Sequence, residues 1–548
     1  MSHLSSALLV ATLAAPLALL AACFVKSWRP CALALQWLAP APGLAAGVLG
    51  VTAAPGSFDL PGLGFTLRLD PPGALLLAVA ALLWIVVTAA VWRERAPDER
   101  FGLCWLLTMT GSLGVFIAGD LVSFYLVYAL VSIPAYGLFA FSDDAEKKRA
   151  GAIYMAFAIF GEALLLLGFA ALAAGEPHGS SRIADVMAAL PASPWRDVIL
   201  ALIVAGFGMK MGLIPFNGWM PLNYAAAPIP AAAVLSGAGV KAGVIGLIRF
   251  LPLGVPLQGW GEALAALGFL TAFYGVLLGL TQQNPKTILA YSSISQMGVI
   301  AAALGMALGA GDVSASGDVA FYAANHLLVK AALFLTIGAL AARGAPLSGA
   351  PLGGWTLALA AALALSLAGL PFTGGALAKL ASKAQFASGW AASLATLSSI
   401  GTALLMTHFV ARLDAPPPDA ARECPLALVR FWPAVALGAI LLPWLFYPAF
   451  GDVSEALGLA KFWEGLWPVL IGVGLALGLR RLGLRRLGWP APRVPAGDSI
   501  VLFEGAFARL LALGPGFETL DARLRQWPAA GVSLLLIVLA LLAAGVLG

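Results

Sequence analysis

Long apolar runs separated by short polar loops make up nearly the whole chain. About sixteen runs are long enough to cross the roughly 30 Å core of a bilayer as helices. They lie near 5–25, 31–53, 72–92, 101–119, 121–141, 150–174, 197–217, 228–250, 262–282, 287–309, 318–341, 354–377, 391–411, 430–449, 464–480 and 529–547. Pro40 and Pro42 interrupt the second, and 101–141 divides in more than one way around Asp120. The runs are rich in Leu and Ala and do not alternate over ten-residue segments, which predicts helices rather than barrel strands. The first run lacks a basic segment ahead of it and a clean export signal, so it is expected to be a retained first span.

The loops alternate in charge. Basic residues gather after the first, third and fifth runs (Lys26, Arg29; Arg93, Arg95, Arg100; Lys147, Lys148, Arg149) and after the ninth and eleventh (Lys286, Arg343). They recur at Arg412, Arg422 and Arg430, and again at Arg480, Arg481, Arg485, Arg486 and Arg493. The other loops carry Asp59, Asp70, Asp120, Glu176, Asp185, Asp312, Asp318, Asp452 and Glu455, with few basic residues. Positive-inside bias places the odd-numbered loops in the cytoplasm and both chain ends outside.

Composition agrees with an all-α polytopic membrane protein. The 548 residues are 61% hydrophobic and 10% charged, against about 25% charged in an average soluble domain. Mean hydropathy is +0.94. The net charge of +5 follows from topology and does not call for nucleic acid. Cys23, Cys31, Cys104 and Cys424 have neither disulfide-framework nor metal spacing, and no phosphate-binding glycine loop is present. No nucleophile–base constellation stands out, so no catalysis, cofactor or metal is expected on this chain. Residues 481–528 are basic and then amphipathic around Phe503, Phe507 and Leu511, which predicts a helix on the cytoplasmic surface or against a neighbouring subunit. An irregular basic linker is the simpler alternative.

Against this background, Lys210, Lys241 and Lys330 stand inside apolar runs, and Lys379 and Lys383 close another. A charge at bilayer depth costs about 2.5–3.5 kcal/mol or more, so such residues mark an ion pathway by default. An amine held away from water grips its proton less tightly, and a nearby carboxylate restores the grip. Glu162 is the acidic residue set well inside a run, and it is the natural countercharge for Lys210 or Lys241, or else a structural partner. His326 and Lys330 are four apart and share a helix face, as a proton relay would require. His408 sits near the cytoplasmic end of the thirteenth run, as an exit residue or a bystander. Asn325, Tyr291, Ser292, Ser293, Ser295 and Gln296 add polar groups around the tenth and eleventh runs. Two runs are broken beside their lysines: Pro215 follows Lys210 by five residues, and Pro371 precedes Lys379 by eight. Broken backbone at membrane depth survives where it is buried in protein or lines a polar cavity, and paired breaks are typical of transporters.

The stretch TQQNPKTILAYSSISQMG (281–298) resembles the signature of the antiporter-like membrane subunits of respiratory complex I. Those subunits are related to the large subunits of multi-subunit cation/proton antiporters and to membrane-bound hydrogenases. KMGLIPFNGWMPLNYAAAPIPAAAVLSGAGVKAGVIGLIR (210–249), HLLVKAALF (326–334) and GLPFTGGALAK (369–379) resemble the same family in order and spacing. The resemblance implies a core of about fourteen helices with two inverted five-helix repeats, each holding one broken helix. It divides the chain into N-terminal helices (1–100), a first repeat (101–250), a second repeat (251–412), C-terminal core helices (413–480), the basic and amphipathic segment (481–528) and a final anchor (529–548). It also implies that Lys210, Lys241, the His326–Lys330 pair and Lys379 form a proton path at the membrane midplane. Quinone, flavin and iron–sulfur chemistry would then belong to partner subunits.

The departures from the family pattern are specific. Where relatives carry Trp-Glu five residues before a fifth-helix proline, this chain has Tyr128–Ala129 ahead of Pro134. Asn217 replaces a histidine, and Pro221, Leu222, Asn223 and Tyr224 replace a Pro-Asp-Ala-His segment. Either Glu162 takes over as the partner of Lys210, or the first half-channel is altered. The functional expectation is a proton-translocating subunit, with sodium exchange as a variant, of a larger energy-coupling complex in the bacterial cytoplasmic membrane. The alternatives are a membrane subunit of an inorganic-carbon uptake complex and a non-conducting scaffold.

Overall fold

The computed structural model describes residues 2–52, 57–60, 65–94, 98–139, 144–344, 354–386, 389–413, 424–482 and 494–497, together with 499, 500 and 504. Residues 1–496 form one compact unit and 497–548 another. The expected amphipathic segment and the run 529–547 lie almost wholly outside the described residues.

The fold is an all-α, multi-pass membrane architecture. Among the described residues, twelve helices are long and apolar enough to cross a membrane. The three other expected spans that fall within the described residues are also helical but shorter or divided. Helix α5 (Glu99–Gly114) has 16 residues. The seventh run is split into α9 (Arg196–Met211) and α10 (Trp219–Ala226), and the twelfth into α16 (Gly354–Ser366) and α17 (Gly374–Ala381). Pro40 and Pro42 mark the interruption between α2 (Arg29–Leu35) and α3 (Ala41–Thr52).

One order of elements occurs twice. Helices α5, α6 (Leu121–Ser132) and α7 (Ala145–Ala174) precede the break α9/α10 and then α11 (Ile229–Val234) and α12 (Lys241–Phe250). Helices α13 (Gln258–Thr281), α14 (Pro285–Ala310) and α15 (Ala315–Gly344) precede the break α16/α17 and then α18 (Gly389–Val410). Among the described residues two more spans follow, beginning with helices Leu426–Leu441 and Leu459–Leu482.

Both breaks use the same local device. Gly212 ends α9 with φ +72°, and the Leu213 amide reaches back to the Gly208 carbonyl at 2.9 Å. Gly369 follows α16 with φ +96°, and the Leu370 amide reaches back to the Leu365 carbonyl at 3.2 Å. A glycine in the left-handed region with this long reach-back closes a helix, and a proline just beyond cannot continue it. Pro215 and Pro371 supply that stop.

Helices α13 and α14 approach closely where small residues face each other. On α13, Gly261, Gly268 and Gly275 recur every seven residues, and on α14 Gly298 and Gly305 do the same. A Cβ added at Gly268 would fall 2.4 Å from the Ala302 nitrogen, and one at Gly305 would fall 2.4 Å from the Ala265 nitrogen. Small residues let membrane helices approach backbone to backbone. The spans containing α12, α14 and α15 are enclosed by the rest of the molecule, and they carry Lys241, Lys330 and His326.

A two-stranded hairpin, β1 (Ser57–Leu60) paired antiparallel with β2 (Phe65–Arg68), is an addition to the all-helical expectation. Its second strand docks on the end of α5: the Arg68 amide donates to the Ile117 carbonyl and Gly119 to the Thr66 carbonyl, each at 2.7 Å. Asp120 is the knot. Its carboxylate accepts from the Ser123 amide at the start of α6 and from the Thr66 amide of β2. The boundary within 101–141 is therefore set by an N-cap. Beside it, Arg249 at the end of α12 pairs with Asp70 at 3.0 Å and donates to the Val115, Phe116 and Ala118 carbonyls.

Candidate functional site

At the first break, the last turn of α9 turns Lys210 toward α6 and α7. Its ammonium donates to Ser132 Oγ at 2.9 Å and to the Tyr154 hydroxyl at 3.3 Å, and stands over the rings of Tyr128 and Tyr154 at 5.9 and 5.6 Å. Tyr154 in turn donates to the Ser132 carbonyl at 2.9 Å. Lys210 is thus held by hydroxyls and π-faces. Glu162, about two helix turns along α7 from Tyr154, is also buried. Among the described residues it forms no ion pair within 4 Å, and its Oε1 has no hydrogen-bond partner. Ser132 and Tyr154 do not stand out in the sequence. The signal for Ser132 is spacing, since it lies three residues beyond Ala129, on the same helix face.

The centre of the molecule gathers three more basic side chains. Lys241, His326 and Lys330 are each fully buried. The Lys241 nitrogen lies 2.6 Å from His326 Nδ1 and donates to the Ser236 carbonyl at 3.2 Å. That carbonyl belongs to a π-turn, Leu235–Gly239, in the small-residue run Ser-Gly-Ala-Gly ahead of Lys241. Widened turns of this kind recur at functional positions because they release a carbonyl from the helical ladder. Lys330 donates to the Leu289 carbonyl of α14 at 2.9 Å. Among the described residues no carboxylate pairs with Lys241 or Lys330, and His326 Nε2 has no partner. Asn217 and Tyr224, which stand at departures from the family pattern, are buried with their amide and hydroxyl unpartnered. Unmet buried polar atoms are rare in native interiors and call for an explanation.

At the second break, Lys379 donates to the Ala368 carbonyl at 2.5 Å and to Ser399 Oγ at 2.6 Å. The break frees the carbonyl and the lysine takes it up. Lys379 lines a cavity of about 450 Å³ that also meets Gln296, Tyr322 and Thr402. Those three are linked: Tyr322 donates to Gln296 at 2.7 Å, and Gln296 donates to Thr402 at 3.1 Å. Lys383 is not beside Lys379 in the interior. It stands at the cavity mouth, 48% exposed, paired with Glu464.

Two other residues lie apart from these clusters. His408 Nε2 is 2.8 Å from the Gln282 carbonyl at the end of α13. Lys286, expected from hydropathy to be a loop charge, is buried and donates to the Ala227 carbonyl at 3.0 Å. Among the described residues no group of His, Cys, Asp and Glu is arranged to hold a metal ion. The structure thus gathers Lys241, His326 and Lys330, and seats Lys210 and Lys379 beside the two breaks.

Known proteins share this arrangement of helices. The family described as "NADH:quinone oxidoreductase/Mrp antiporter, TM" matches residues 118–407. A probable K(+)/H(+) antiporter component of Rhizobium meliloti is 31% identical over 58% of this chain, but the match spans only 32% of that relative's length. NADH-quinone oxidoreductase subunit N of Salinispora tropica is 31% identical over 61% of this chain and 70% of its own length. Among solved structures, the Mrp complex from Dietzia sp. DQ12-45-1b contains a chain that superposes with a TM-score of 0.76. At 22% identity it covers 99% of this chain and 63% of its own, and the likeness is one of fold.

Proposed function

Because this chain belongs to the NADH:quinone oxidoreductase/Mrp antiporter family of membrane proteins, we propose that it is a proton-translocating subunit of a larger energy-coupling complex in the bacterial cytoplasmic membrane. The observation that carries this reading is the buried Lys241–His326 contact with Lys330 one turn away and, among the described residues, no paired carboxylate. Amines gathered in a low-dielectric interior repel one another, so a proton on one disfavours a proton on the next. That is the property a relay needs. In this reading Lys210 is the first station, the Lys241–His326–Lys330 cluster the crossing between halves, and Lys379 the last, with Gln296, Tyr322 and Thr402 lining its outlet. Partner subunits supply the driving energy and any redox cofactors.

The test is proton uptake by the assembled complex in sealed vesicles. Lys241→Ala is expected to abolish coupled uptake with assembly preserved, and wild-type uptake in that variant would exclude the relay. One observation supports a second arrangement: Lys210 is bonded to hydroxyls, and Ala129 occupies the family's glutamate position. In that version the first half holds a standing charge and the second half conducts. Normal uptake in Lys210→Ala beside a dead Lys379→Ala would select it.

A further inference from the structure

Three lysines line the cavity at the second break, Lys379 and Lys461 partly buried and Lys383 exposed at the mouth, and among the described residues one carboxylate, Glu464, lines it with them. Glu464 Oε1 is 2.5 Å from Lys383, and its Oε2 is 3.7 Å from Lys461. Lys461 has a second partner in Glu455 at 3.0 Å, so it keeps a countercharge without Glu464. Lys379 makes two hydrogen bonds to neutral oxygens and pairs with no carboxylate among the described residues. The anion at the mouth is shared among cations, while the cation inside has none.

We propose that Glu464 is the mobile countercharge of Lys379: its carboxylate exchanges Lys383 at the mouth for the Lys379 ammonium inside the cavity, and returns when that proton leaves. The proposal rests on the relay reading above and adds a residue to its last station.

Packing brings the two within one neighbourhood. A Cβ built on Gly465 would fall 3.1 Å from the Gly369 carbonyl oxygen, and one built on Gly369 would fall 2.9 Å from the Lys379 Cδ. The residue after Glu464 and the stem of Lys379 therefore lie against the same glycine of the break. Phe462, two residues earlier, packs its ring 5.4 Å from that of Phe372. Two energetic terms favour the exchange, against the cost of taking the carboxylate out of water. The Lys383–Glu464 pair is half exposed, at 48% and 45%, and exposed pairs contribute little. A carboxylate and an ammonium attract more strongly inside, where the effective dielectric is lower, as Glu464 and Lys379 would. Protonation of Lys379 thus draws Glu464 inward and frees Lys383. When Lys379 hands its proton to water in the cavity, the neutral amine releases the carboxylate to the mouth.

The experiment measures proton uptake by the full chain assembled with its native partners, comparing Lys379→Ala, Glu464→Gln, Glu464→Asp and the pair Lys383→Met with Glu464→Gln. Glu464→Gln is expected to lower uptake about tenfold and Glu464→Asp to restore most of it. A bridge that merely held two helices together would be rescued by removing both partners, because no charge is left unpaired. Here the double variant is expected to stay about tenfold down, like Glu464→Gln alone. Wild-type uptake in Glu464→Gln, or recovery in the double variant, overturns the proposal and leaves the relay standing if Lys379→Ala is inactive. Wild-type uptake in Lys379→Ala overturns both.

Discussion

The Lys241 side-chain nitrogen and His326 Nδ1 are 2.6 Å apart, joining the start of α12 to the middle of α15 across the buried centre of the molecule. Neither residue has an ion-pair partner among the described residues. Removing the lysine therefore strands no opposite charge. Lys241→Ala is expected to cut proton uptake by at least about tenfold, a barrier change of about 1.4 kcal/mol or more. Thermal unfolding of the solubilised complex should fall only modestly, because the Ser236 carbonyl and His326 lose one neighbour but no opposite charge is left unpaired. A large loss of stability alongside lost uptake would mark Lys241 as a structural residue.

Lys210 offers a sharper test, because its partner set departs from the family pattern. Glu162→Gln is expected to lower uptake severalfold if Glu162 acts on Lys210 across the Ser132 hydroxyl. Introducing Ala129→Glu into that variant should recover uptake, since position 129 lies one turn before Ser132. Wild-type uptake in Glu162→Gln would remove Glu162 from the pathway.

Arg249 is expected to act on stability and not on transport. Its side chain, 6% exposed, joins Asp70 to three carbonyls at the end of α5. Arg249→Ala leaves these acceptors without their donor and should cost about 3 kcal/mol. Uptake per assembled complex should be unchanged, and vesicle assays normalised to folded protein would show it.

The glycine seam gives a control for packing alone. Gly268→Val places side-chain atoms where even a Cβ would meet the Ala302 nitrogen at 2.4 Å. Overpacking of this kind costs about 1–3 kcal/mol, and more when backbone has to move. Reduced assembly with normal Lys241 chemistry is expected; wild-type melting would show that the helices are free to separate.

The fold was largely legible because membrane spans announce themselves by length and hydropathy, and the two breaks by glycine followed by proline. The interior lysines were legible for a related reason: a charge inside an apolar run needs a cause. What the pattern did not yield depends on contacts distant in sequence. Ser132 and Tyr154 at Lys210 are ordinary helix residues until α9 packs beside them. Lys286 and Arg249 sit at span ends, where hydropathy suggests solvent, yet neighbouring carbonyls take them inside. Lys383 looked interior because it closes an apolar run, but α17 ends at Ala381 and the chain turns Lys383 out to Glu464. The hairpin was hidden because two four-residue strands carry too little alternation to stand out between spans.

The heptad of glycines between α13 and α14 has a mechanical meaning. Backbones that already touch can neither slide past one another nor tilt apart without breaking contact along their whole length, so the pair behaves as a stiff rod. In the proposed relay, a stroke from a neighbouring subunit would then fall on more compliant elements than this rod, the two interrupted helices first among them, and force would turn into charge movement over a short distance.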